Sequence, residues 1–169
     1  MTDNFIQLGK SDILRLGIRT EDGTDTGEYL EFNLEDIELP LKYQDLLDKD
    51  KKNKEHLRNQ LLIIDKRQDV KGKKLLSKNE EDKIRAMNDF FNKEIEVYNM
   101  FLGENGVQKL LNGRKLGWTS LQEIDDIIGT QIAPYLNNSL ENISNKIKSR
   151  YGNVINNEKE VLKWNTQSM

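Results

Sequence analysis

Hydrophobic and polar positions alternate twice near the amino terminus. In "DILRLGIR" Leu14, Leu16 and Ile18 fall on one side, with Ile13, Arg15, Gly17 and Arg19 on the other. In "EYLEFNL" Leu30, Phe32 and Leu34 oppose Tyr29, Glu31 and Asn33. A period of two predicts two half-buried strands. Between them, "TEDGTDTGE" places Gly23 and Gly27 where a tight connection needs positive φ angles, so a hairpin over 12–36 is expected.

Beyond residue 40 the apolar spacing changes to three and four. Pro40 suits the first turn of a helix and the acids of "LEDIEL" suit its positive end, which predicts a helix over 40–66. Leu41, Leu46 and Leu47, then Leu57, Leu61 and Ile64, form two apolar clusters. The stretch between them, "DKDKKNKEH", reads as solvated on all sides or as a break between two helices. "SKNE" at 77–80 has the form of a capping box and opens a second helix over 77–102. Its stripe is Ile84, Met87, Phe91, Ile95, Tyr98 and Leu102, and Gly103 stands in the carboxyl-cap position.

Val107, Leu110 and Leu111 mark a short turn over 107–112 between glycine stops. "TSLQ" at 119–122 repeats the capping-box form and opens a helix over 119–151, which Gly129 and Pro134 are expected to kink or divide. Gly152 suits its exit. Residues 1–11 and 153–169 read as flexible ends, the second with an apolar patch at Val161, Leu162 and Trp164. The expected fold is therefore α+β and mainly helical. An amino-terminal β-hairpin packs on a bundle of about four helices in a single domain over 12–152, followed by a mobile carboxyl-terminal tail.

Composition sharpens this picture in three ways. The 169 residues suffice for one domain, and 33% charged against 36% hydrophobic residues implies a lean core under a heavily solvated surface. A net charge of −3 lacks the basic excess common in proteins whose main partner is duplex nucleic acid. Without cysteine there is neither a disulfide framework nor a thiolate zinc site. No stretch approaches the ~18 apolar residues of a membrane span, and "MTDNFIQLGKSD" lacks a signal-peptide pattern, so cytosolic synthesis and no membrane partner are expected.

Candidate chemistry is sparse. "GENGVQKLLNGRKLGW" at 103–118 has four glycines and an Arg-Lys pair, but it lacks the spacing and the hydroxyl of a phosphate-binding loop, and a helix precedes it. It reads as a helix cap plus connector. "DTG" at 25–27 matches the aspartic-protease triplet, yet its setting "EDGTDTGEY" is polar on both sides and fits a turn. His56 is the only histidine and lies in a charged run, and Glu123, Asp125 and Asp126 suit a helix's first turn better than a cation. The basic runs around 49–58 and 65–78 are interrupted by acids, so nucleic acid is not an expected partner. No catalytic, cofactor or metal residue is assigned, and an enzyme is not expected.

Four strings, "DTGEYLEFNLEDIELPLKYQDLL", "IIDKRQD", "KGKKLLSKNEEDKIRAMNDFFNKEIEV" and above all "MFLGENGVQKLLNGRKLGW", resemble a family of small tail-region proteins of bacteriophages and prophages of Gram-positive bacteria. That family is similar to the tail assembly chaperones of long-tailed phages. The resemblance covers most of 12–151 and leaves out the tail. It implies a protein of the host bacterial cytoplasm that coats the tape measure protein as a homo-oligomer, passes it to the tail tube protein and is absent from the virion. It also implies, in many members, a longer frameshifted product that contacts the tube. Aromatic residues are favoured interface anchors, which makes Phe90, Phe101, Trp118, Tyr135 and Trp164 the candidate partner-binding residues. A structural tail or connector protein of the virion, and a nucleic-acid-binding accessory phage protein, are the alternatives.

Overall fold

The computed structural model describes residues 12–167, with side chains through Arg150. Strands β1 (Ile13–Arg19) and β2 (Asp25–Asn33) form an antiparallel hairpin in which Leu14 pairs with Phe32 and Leu16 with Leu30. Alternation sends the expected set inward: Ile18, Leu30 and Phe32 are buried, and Leu14 and Leu16 are half-buried. The turn is built as its residues require, with Gly23 at φ +84° and the Asp25 carboxylate accepting the Gly27 N–H at 2.8 Å.

Helix α1 (Leu39–Asp65) is unbroken and runs antiparallel to α2 (Lys78–Leu102). Both capping-box bonds of α2 are present. The Ser77 hydroxyl accepts the Glu80 N–H at 3.2 Å and the Glu80 carboxylate accepts the Ser77 N–H at 2.7 Å. Between these two residues, Asn79 is buried and donates its amide to the carbonyls of Ile64 and Arg67, at 3.1 Å each. The last carbonyls of a helix have no partner within it. Here the first turn of α2 supplies one to the end of α1.

The glycine-rich stretch holds α3 (Gly106–Leu111), a single short helix between two stops. Gly103 closes α2 at φ +93°, and Asn105 and Asn112, both left-handed, bracket α3. Gly106 is required by proximity, since a Cβ there would lie 2.4 Å from the Leu102 Cβ. Helix α4 (Trp118–Ile127) begins one residue before the expected cap. The Gly117 N–H donates to the Ser120 hydroxyl at 2.8 Å, so Ser120 rather than Thr119 provides the capping oxygen.

Between α4 and α5 (Ala133–Gln167) lies one π-helical turn, Ile128–Ile132, closed by the Ala133 N–H on the Ile128 carbonyl. The division expected from Gly129 and Pro134 is a widened turn. Pro134 has no N–H to offer the preceding turn, and the Thr130 hydroxyl takes up the Asp126 carbonyl at 2.6 Å. Ile124, Ile128, Ile132 and Leu136 are all buried, four residues apart. In an α-helix four residues overshoot a turn by about 40°, and the wider π turn absorbs that drift. Gly152 does not end the helix, because α5 continues through it.

The core gathers the hairpin's inner face, α1, α2 and the α3–α5 run into one cluster. At its centre Phe101 lies between Phe32 and Tyr43, with ring centroids 5.5 and 5.4 Å away. The Ser139 hydroxyl donates to the Leu34 carbonyl at 2.6 Å and ties α5 to the end of β2.

Candidate partner-binding surface

The charged middle of α1 is not solvated on all sides, contrary to the sequence expectation. Asp50 and Asn53 continue the helical phase of Leu46 and Leu57, and so point at α2. The Asn53 amide donates to Glu94 Oε1 at 2.7 Å, and Glu94 is fully buried with Oε2 unpaired. Burial pushes the Glu94 carboxyl up to about 8, and the Asp50 carboxyl beside it adds to the effect against the Asn53 bond. Near neutral pH the Glu94 carboxyl thus keeps its proton. Lys54 lies 2.8 Å from Asp50 and 3.8 Å from Asp125, which accepts the Tyr98 hydroxyl. Burial works against the Lys54 charge, but Asp50, Asp125 and Glu94 outweigh it and raise its pKa. Burial, followed by the Asp125 bond, likewise raises that of Tyr98.

This polar seam joins α1, α2 and α4, and no candidate residue from the sequence marks it. A signal existed. Asp50, Asn53 and Glu94 are polar residues at positions where an apolar stripe demands core, Glu94 lying four residues from both Phe90 and Tyr98. Apart from Glu94 Oε2, the seam's hydrogen bonds and ion pairs run among its own residues, which makes it a structural element of the helix interface.

Above the seam the surface turns apolar. Trp118, at the amino end of α4, is 52% exposed. Its ring stacks on Phe90 at 5.3 Å between centroids and meets Phe91 edge-on at 4.9 Å. One face of the indole is therefore pinned and the other open. Beside it, Leu57, Leu61 and Leu62 of α1 line a groove of about 400 Å³, with Lys54 and Arg58 at one end and Asp65 at the other. Leu62 is half exposed.

Of the five aromatic candidates, the structure separates three roles. Phe90 and Phe101 are each 4% exposed and belong to the core, which corrects their assignment as partner-binding residues. Both fall on the inward side of α2, and Phe90 contributes to the surface only as the platform under Trp118. Trp118 and Tyr135 are exposed but line different grooves. The side chain of Trp164, with Val161 and Leu162, lies outside the described residues, as do residues 1–11. Elsewhere, Glu123 pairs with Arg114 at 3.0 Å.

Comparison with family models, with curated proteins and with solved structures finds no match to this chain.

Proposed function

We propose that this protein is a bacteriophage tail assembly chaperone, acting in the host bacterial cytoplasm by non-covalent binding of the tape measure protein and by self-association. The observation that carries the reading is the groove along α1 roofed by Trp118. A half-exposed tryptophan fixed on two phenylalanines, beside a row of leucines, is a preorganised apolar seat. An amphipathic helix of a long client lays its apolar ridge into such a seat. The resemblance of "MFLGENGVQKLLNGRKLGW" and its neighbouring strings to the tail-region family supports the same reading and names the client. Transfer to the tail tube protein, directly or through a longer frameshifted form, belongs to this proposal.

The test is co-expression of the protein with the tape measure protein of the same genome, followed by size-exclusion chromatography with light scattering. The expected result is a soluble complex holding many copies of this chain per client, lost with Trp118→Ala. An insoluble client and a protein that elutes without it would remove the reading and leave the virion component as its successor.

A further inference from the structure

A second groove, of about 1000 Å³, separates α5 from the edge of the hairpin and the β2–α1 connection. One wall is α5 beyond Leu136. Ile143 and Ile147 line the groove and, with Leu140 beside it, form a row at helical spacing in which Leu140 is 47% and Ile147 50% exposed. Lys146 and Arg150 flank that row and line the groove. Across the groove stand Ile13 and Ile37, the latter 70% exposed, with the carboxylates of Asp12 and Glu35. Among the described residues none of these four charges makes an ion pair. Two walls of opposite sign, each with exposed isoleucine, thus face one another, tied by the Ser139–Leu34 hydrogen bond but by no ion pair among these four charges.

An occupant that satisfies both walls must bring an apolar row and cations to the Asp12–Glu35 side. It must also bring carboxylates within reach of Lys146 and Arg150. We propose that the occupant is a second copy of this chain, in a two-fold dimer in which each α5 lies in the other's groove. The apolar rows of the two α5 helices pack on each other. The cations of each meet Asp12 and Glu35 of its partner, and the symmetry that satisfies one wall satisfies the other. A helix with an apolar row and nothing to cover it gains little from propensity alone, so burial of that row between copies is what holds this part of α5. The inference deepens the self-association part of the chaperone reading, and it uses a surface other than the Trp118 groove.

The experiment takes the full chain without client and measures its mass by light scattering and its dimer dissociation by sedimentation equilibrium. The expected mass is twice the 19.7 kDa of one chain. Lys146→Glu with Arg150→Glu should weaken the dimer about tenfold or more, and adding Asp12→Lys with Glu35→Lys should restore it. Circular dichroism checks that each variant keeps its helix content, and Ile147→Ser provides a second, uncharged disruption. A monomer at about 100 μM, or an assembly of any size that is indifferent to these reversals and to Ile147→Ser, overturns the proposal. With no client present, failure here leaves client solubilisation through Trp118 standing, and failure of that solubilisation leaves this dimer standing.

Discussion

Asn53 on α1 donates a 2.7 Å hydrogen bond to the fully buried carboxyl of Glu94 on α2. The bond fills one oxygen of Glu94 and leaves the other buried without a hydrogen-bond partner. A carboxyl whose pKa is raised to about 8 on folding retains its proton where the unfolded chain has lost it. Native protein then binds more protons than unfolded protein between the ordinary glutamate pKa and about 8, so stability falls as pH rises through that window. The slope for one group reaches about 1.4 kcal/mol per pH unit at most. Glu94→Gln, which keeps the shape and cannot ionise, should flatten the dependence and leave the variant the more stable protein at pH 8. Urea unfolding at several pH values reads it directly, and an unchanged slope would refute the raised Glu94 carboxyl.

Gly106 sits where the chain leaves α2 and turns into α3. Gly106→Ala forces a methyl into the Leu102 side chain, 2.4 Å from its Cβ, and should cost about 1–3 kcal/mol as overpacking does. Denaturant midpoints measure it. Gly117→Ala, where added Cβ meets nothing within 4 Å, serves as the comparison and should cost clearly less.

Asn79 provides a sharper test of how the two long helices are joined. Its amide bonds the Ile64 carbonyl at the end of α1 and the Arg67 carbonyl just beyond it. The Ile64 carbonyl also accepts the Arg67 N–H, so Asn79→Ala should cost about 0.5–1.5 kcal/mol, as loss of an ordinary hydrogen bond does. Amide exchange should increase in the last turn of α1 and the first turn of α2 ahead of the rest of the protein.

Phe101 and Trp118 separate core from surface. Phe101→Ala should cost about 3–5 kcal/mol, while the half-exposed Trp118→Ala should cost less than half of that and abolish client solubilisation. Thermal melts and the co-expression assay together read both. Equal losses of stability would place Trp118 in the core and remove it as a docking residue.

The hairpin, the two long helices and the α3 joint were legible because each rests on local rules. Leu14, Leu16 and Ile18 alternate, Ser77 and Glu80 carry their own cap, and the glycines punctuate. The polar seam was hidden by composition, since "DKDKKNKEH" reads as a solvent face unless each residue is placed in helical phase with Leu46 and Leu57. Phe90 and Trp118 were equivalent as aromatic letters, and only packing makes one the platform and the other the exposed ring. The start of α4 was misplaced by one residue because Ser120 and Thr119 offer the same hydroxyl, and the backbone at Gly117 selects between them.

The π turn at Ile128–Ile132 sets the rotational phase of everything that follows it. Deleting a single residue from this turn would let α4 and α5 fuse into one ordinary helix. Because the π turn spends five residues where an α turn spends four, the row of Leu140, Ile143 and Ile147 would then keep nearly its present direction relative to Ile124. A one-codon deletion here would thereby preserve the outward face of α5, whereas the same deletion in the regular turns on either side would swing it by about 100°, so the widened turn is where related chains can change length without changing what they bind.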